Sequence, residues 1–237
     1  MSIQSPPGGG IKSLYEKTKE FGAPPFAATA AMVPWFPGFI RKSALQLGQT
    51  PPPIRAAQFI QGCSAAPVIG TVTGIQLVTQ SLIKKRLFPE EKETPVSAVT
   101  SSLVVGSISA PFLAIFNGKT MNLTARQSLR ALSTAQAGAI ITRETSFLAS
   151  FPMSSFLART LNEKFGERPT TTYIAAFISG FLGSAIGHPA DTALTHWQKG
   201  VTIERPSHLI RGLFTKSVVV GGFAMTYKAI QEAIERT

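Results

Sequence analysis

Residues 176–198 read AFISGFLGSAIGHPADTALTHWQ, and the first half of this stretch carries no charged side chain. A second uncharged run covers Val96–Asn117. Each lies in a stretch of about 25 residues, which exceeds the roughly 20 residues that a helix needs to cross a bilayer. Small residues recur every four positions in both runs, a spacing that lets helices approach closely in lipid. The two rows are Ser179, Gly183 and Gly187, and Ser102, Gly106 and Ala110.

Six stretches of this kind predict an all-α membrane protein with six transmembrane helices. They cover residues 21–47, 56–84, 95–119, 133–160, 170–197 and 209–234. The chain is 44% hydrophobic and only 15% charged, against about 25% charged in a soluble domain. The alternative is a soluble all-α domain with long amphipathic helices. Residues 1–20 are predicted to form a flexible tail with a short amphipathic piece, and residues 21–237 to form the membrane domain.

The balance of basic to acidic residues differs between the two predicted sides of the membrane, because most acidic residues lie on the side of the termini. The net charge is +11, but the basic residues stand singly or in pairs between apolar runs, which argues against a nucleic-acid partner. With six spans, the connections near 48–55, 120–130 and 199–208 share one side with few acids. The positive-inside rule makes this the inner side. Its basic residues, with those of the flanking helix ends, are Arg41, Lys42, Arg55, Lys119, Arg126, Arg130, Lys199, Arg205, Arg211 and Lys216.

Motifs for catalysis or cofactor binding are absent from the sequence. Cys63 is the only cysteine, so neither an intrachain disulfide nor a cysteine-based metal site is possible. His188, Asp191 and His196 are close in sequence but lack a metal-ligand pattern. No glycine-rich phosphate-binding motif occurs. We therefore predict a protein that is not an enzyme and that needs no cofactor or metal.

Prolines at nearly regular spacing suggest an internal repeat. Pro37, Pro111 and Pro189 are separated by 74 and 78 residues, and each belongs to an odd-numbered span. Three positions follow these prolines at 25, 25 and 23 residues, namely Gly62, Gln136 and Gly212. The spacing predicts three two-helix units, about 21–86, 95–162 and 170–235, around a central axis. Proline removes a backbone hydrogen bond, so each is predicted to kink its helix.

Two segments of the third unit resemble the mitochondrial carrier family. Pro189-Ala-Asp191-Thr-Ala-Leu-Thr-His196-Trp-Gln198 is similar to its signature of Pro, acid, base, base and Gln at positions 0, +2, +5, +7 and +9. Ile210-Arg-Gly-Leu-Phe214 is similar to its aromatic or basic residue before a glycine at an even helix. The resemblance covers about residues 20–235. It implies a three-repeat bundle in the mitochondrial inner membrane that works by alternating access.

The chain also departs from that family where the resemblance expects gate charges. Phe39 stands in place of an acid in unit one, and Leu194 in place of a base in unit three. Unit two has Leu113 and Phe116 in place of both. The resemblance then implies a single inner-gate salt bridge, Lys42 with Asp191, braced by Gln46 and Gln198. The next span begins within about ten residues of Gln46, which leaves no room for the family's surface helix.

Charged residues inside a span are functional candidates because they are costly in lipid. Arg143 and Glu144 form such a doublet, and the resemblance places them at a substrate-contact position. The equivalent positions on the second and sixth helices are Ile69 and Val219, both apolar. The alternative is that Arg143 and Glu144 satisfy each other structurally. The resemblance further implies lipid binding, cardiolipin included, at the inner helix ends; its candidate residues are Gly62, Arg211 and Gly212.

Two functions fit this sequence. The first is a non-transporting protein of the carrier fold, acting as a structural subunit or adaptor for other membrane proteins. The second is an active carrier for a small metabolite such as an amino acid or small anion. The missing gate charges and the short connections favour the first function.

Overall fold

The computed structural model describes residues 9–89, 94–119, 123–166 and 168–236. Within these ranges the chain forms seven α-helices and one 3-10 turn, and no strand, which confirms the all-α prediction. The 3-10 turn, Pro206–Ile210, lies between the last two helices. The helices are α1 Gly9–Gln46, α2 Ala56–Leu87, α3 Pro95–Lys119, α4 Ala125–Ala131, α5 Thr134–Phe165, α6 Pro169–Lys199 and α7 Leu213–Arg236.

Local sequence signals fix where several helices begin and end. At the start of α5 the Ser133 hydroxyl accepts a hydrogen bond from the Gln136 amide, and the Gln136 side chain accepts one from the Ser133 amide. This reciprocal capping box satisfies two otherwise free amides. Helix α6 begins with Pro169, whose fixed φ suits a first turn. It ends at Lys199, and the next residue, Gly200, has a φ of 64°, which favours glycine.

Four helical segments are long and apolar enough to cross a membrane, so the chain is a multi-pass membrane protein. They are Ala56–Leu87, Pro95–Phe116, Thr170–Lys199 and Pro206–Arg236. Their outward faces carry large apolar side chains that are about 70% exposed, including Ile60, Phe112, Ile186 and Phe214. A belt of this kind suits contact with lipid rather than with water. Helix α5 is not among the four segments, and it carries the Arg143–Glu144 doublet in its interior.

The six long helices contact one another in chain order, and the last contacts the first. Helix α1 packs on α2, α2 on α3, α3 on α5, α5 on α6, and α6 on α7, while α7 packs on α1. The short helix α4 contacts α3. This order of contacts closes a ring of helices, which leaves a space between them for side chains from every long helix.

Close helix packing depends on glycines at two contacts. A Cβ atom at Gly74 of α2 would collide with the backbone of Pro25 in α1. A Cβ atom at Gly183 of α6 would lie 2.6 Å from the Ser146 carbonyl oxygen of α5. Gly183 belongs to the small-residue row predicted from the sequence, and that row therefore packs against α5.

The helix boundaries correct two predictions. Helix α1 begins at Gly9, so the tail predicted to be flexible is helical from residue 9, and the short piece predicted around Ile11–Glu20 lies within this helix; residues 1–8 lie outside the described residues. The connection in unit two contains the seven-residue helix α4, although the sequence predicted connections too short for any such helix. The α4 helix is stabilised by a capping box between Thr124 and Gln127. Between α1 and α2 the prediction of a short connection agrees with the structure.

Candidate solute-binding cavity

Asp191 of α6 lies at the centre of a buried group of cations. The Lys42 Nζ atom of α1 is 2.5 Å from Asp191 Oδ2, and the Lys216 Nζ atom of α7 is 3.3 Å from the same oxygen. An Arg143 Nη atom of α5 is 3.7 Å from Asp191 Oδ1. The predicted contact between Lys42 and Asp191 is therefore present, but it belongs to a larger group than one pair.

Glu144 completes this group of charges. The Arg143 Nε atom donates to Glu144 Oε1 at 2.7 Å, and the Gln76 Nε2 atom of α2 donates to Glu144 Oε2 at 2.9 Å. We refer to Lys42, Arg143, Glu144, Asp191 and Lys216 as the ionic cluster. It contains three cations and two anions, so it carries one surplus positive charge. Charges removed from water in this way are costly unless they are paired and hydrogen-bonded.

Gln46 braces Asp191, as the resemblance implied for this position. Gln46 is fully buried, and its Nε2 atom donates to Asp191 Oδ2 at 2.8 Å and to Thr192 Oγ1 at 2.9 Å. Its Oε1 atom accepts a hydrogen bond from the Thr195 hydroxyl. The other predicted brace, Gln198, lines a separate cavity of about 60 Å³ beside α4.

The ionic cluster borders a central cavity of about 270 Å³. Residues from all six long helices line this cavity, and its charged residues among those described are the five members of the cluster. The remaining wall is mainly apolar, with Phe39, Leu113, Phe116, Phe147, Val220 and Phe223. The cavity therefore offers a charged region and an apolar region to the same small molecule.

Four aromatic rings lie between this cavity and a second one. Phe147 and Phe223 line the central cavity, whereas Phe151 and Tyr227 line a more polar cavity of about 290 Å³. The ring centroids of Phe147 and Phe151 are 5.1 Å apart, and those of Phe151 and Tyr227 are 5.2 Å apart. Such edge-to-face pairs hold the rings together.

The residues that α7 contributes to the cavity differ from the one predicted from the sequence. Val219 packs against Gly38 of α1, and Lys216, Val220 and Phe223 line the cavity instead. Ile69 lines the cavity as predicted for the second helix. Lys216 was expected at the inner flank of the last span. Its position inside an otherwise uncharged run, residues 212–227, is the signal that could have identified it as a cavity residue.

The predicted lipid-binding residues separate into two groups. Gly62 is buried seven residues into α2 and packs against Phe36, so it does not lie at a helix start as the resemblance implied. Gly212 directly precedes α7 and has a φ of 76°. Arg211 is exposed and directly precedes Gly212, and the Arg211 carbonyl oxygen is hydrogen-bonded to the His188 ring at 2.9 Å.

The three repeat prolines lie inside helices but in different surroundings. Helices α1, α3 and α6 continue beyond Pro37, Pro111 and Pro189, so these residues do not end their helices. Pro37 is fully buried, while Pro111 and Pro189 are exposed. Helices α2 and α5 also contain a proline each, Pro67 and Pro152. Internal prolines are therefore not restricted to one helix of each proposed repeat.

The histidines of α6 connect it to neighbouring segments. The His196 ring is hydrogen-bonded to the Gln46 carbonyl oxygen at 2.8 Å, and it stacks on the ring of His208 in the 3-10 turn. These contacts fix the end of α1 against α6. Among the described residues, no group of three or more His, Cys, Asp or Glu side chains could hold a metal ion.

No profile of a known protein family matches the sequence, and no curated protein matches it either. Function is therefore inferred from the residues of the site and their geometry.

Proposed function

We propose that this protein is a carrier of the mitochondrial type that moves a small anionic solute across the mitochondrial inner membrane. In this proposal the six long helices form three repeats around a central passage. The single observation that supports it best is the central cavity, with an ionic cluster of surplus positive charge at one wall.

The free-energy cost of burying charged side chains is the reason why the cavity supports a transport function. Charged side chains in a membrane interior are rare and usually serve ions or substrates. A purely structural bundle could replace them with apolar residues of similar volume, often without loss of stability. Here five charged side chains, brought together from α1, α5, α6 and α7, border a space that a small solute can occupy.

Solute exchange in liposomes tests this proposal. The purified protein is reconstituted into vesicles loaded with a mixture of metabolites, and exchange of labelled solutes is measured. We expect exchange of a small anion, and we expect Arg143→Ala to abolish it because Arg143 borders both acids. The matched control is Lys85→Gln, which changes an exposed ion pair with Glu20 outside the cavity. Folded protein without exchange of any solute in the panel would contradict a carrier function.

A structural subunit or membrane adaptor is the second candidate. The observation in its favour is that Leu113 and Leu194, which stand where the resemblance expects an acid and a base, belong to one apolar cluster. An apolar contact does not reform as specifically as an ion pair when helices separate and rejoin. This function is tested by purification in mild detergent. A stoichiometric membrane-protein partner, together with absence of exchange, would support it.

A further inference from the structure

The charge balance of the central cavity indicates the charge of its ligand. Three cationic and two anionic side chains border the cavity, so one positive charge has no counter-ion among the described residues that line it. An uncompensated charge is costly away from water. A bound ligand with one net negative charge would neutralise the site, whereas a dianion would reverse the imbalance.

An unpartnered hydroxyl group supplies a second, independent indication of a ligand. Ser184 of α6 lines the cavity and is 3% exposed, and its Oγ atom has no hydrogen-bond partner among the described residues. A buried polar atom without a partner is unusual in a folded protein. Ser184 and Asp191 are seven residues apart on one helix, about 10 Å along its axis. The hydroxyl therefore lies in the cavity at a different height from the Asp191 carboxylate.

We propose that the central cavity binds a small monocarboxylate with a short apolar tail. Arg143 and Lys216 attract the carboxylate of this ligand, and the Ser184 hydroxyl donates a hydrogen bond to one of the carboxylate oxygens. The apolar tail contacts the phenylalanine side chains of the wall. The volume of about 270 Å³ is below that of typical pockets for drug-sized ligands, which suits a molecule of this size. The inference depends on the proposed function, because it names the class of solute that the carrier would take.

Three probe molecules of different net charge test which ligand charge the cavity prefers. They are 4-methyl-2-oxopentanoate with one negative charge, leucine with no net charge, and 2-oxoglutarate with two negative charges. Binding to the full chain in detergent is measured by calorimetry. We expect the first probe to bind most tightly. Absence of its binding, or equal or tighter binding of leucine or of 2-oxoglutarate, would overturn the inference.

Matched serine variants test the assigned site. Ser184→Ala should weaken binding of 4-methyl-2-oxopentanoate about tenfold, the usual effect of losing a hydrogen bond to a charged group. Ser217→Ala is the control, because the Ser217 hydroxyl is also buried and unpartnered but does not line the cavity. Unchanged binding of 4-methyl-2-oxopentanoate to Ser184→Ala would overturn the assignment of Ser184 as a ligand contact. Lys216→Met should weaken binding at least about tenfold, and Ser184→Ala remains decisive if that variant does not fold.

The binding and exchange measurements distinguish failure of this inference from failure of the proposed carrier function. Vesicles that exchange other solutes, with no binding of the monocarboxylate, would refute this inference and leave the carrier function in place. Binding of the monocarboxylate without any exchange would support the site and refute transport.

Discussion

Asp191 is the residue on which the ionic cluster depends most. It contacts three cations and also accepts a hydrogen bond from Gln46, whereas Glu144 pairs with Arg143 alone among them. Loss of the Asp191 charge would leave three cations with one acid. The cations would then repel each other in a region that water reaches poorly, and the penalty should exceed that of breaking an isolated pair.

The Asp191→Asn variant should therefore be destabilised by about 3–5 kcal/mol or more, the usual cost of breaking a buried ion pair. Adding Lys42→Gln should restore part of this loss, because residues in contact are energetically coupled. Thermal unfolding in detergent measures both variants. Glu20→Gln, which breaks the exposed pair with Lys85, is the control and should change little. Strictly additive effects of the two substitutions would show that Lys42 and Asp191 are not coupled.

Helix packing in this protein depends on small residues rather than on large interlocking side chains. Gly74 brings α2 onto the Pro25 backbone of α1, and Gly183 brings α6 onto α5. In lipid the hydrophobic effect does not favour association of helices, so close van der Waals contacts and hydrogen bonds must stabilise the helix pairs. The close approach of these helices therefore depends on the two glycines.

A methyl group at Gly74 tests this dependence. Gly74→Ala should lower the stability by about 1–3 kcal/mol, because α1 must move away from α2 to accommodate it. The matched control is Gly138→Ala in α5, where the added Cβ would meet no atom within 4 Å apart from the neighbouring backbone of its own helix. This control should be neutral, or more stable by up to about 1 kcal/mol, because alanine favours a helix more than glycine does. Melting temperatures in detergent measure both, and equal stability of the two variants would contradict the packing argument.

The arrangement of the whole molecule places several connections at one end of the bundle. His196 of α6 contacts the Gln46 carbonyl oxygen at the end of α1, and a Cβ atom on Gly212, just before α7, would lie 3.3 Å from the Lys42 carbonyl oxygen. The α1–α2 connection and the 3-10 turn are therefore neighbours. The excess of basic over acidic residues near these two connections predicts that this end faces the inner compartment.

Cysteine labelling tests this topology in sealed vesicles of known orientation. In a Cys63→Ser background, Gln49→Cys and Ser207→Cys should react with a membrane-impermeant maleimide from the same face. Lys164→Cys, near the end of α5, should react from the opposite face. Labelling of Gln49→Cys and Ser207→Cys from different faces would refute the six-span arrangement.

The sequence by itself determined the helical class and the membrane environment. Uncharged runs longer than a bilayer span restrict the backbone to helices, because lipid offers no hydrogen-bond partner. The Lys42–Asp191 contact was predicted from the resemblance. The role of this contact as a gate stays a prediction.

Only the tertiary structure placed Lys216 and Gln76 in the site and Val219 outside it. A shift of one residue turns a helix by about 100°, so the face that a side chain occupies depends on how neighbouring helices pack. Gly38 of α1 accommodates Val219 and thereby directs Lys216 and Val220 into the cavity. Contacts of this kind join residues far apart in the chain. The spacing of residues along a single helix cannot reveal them.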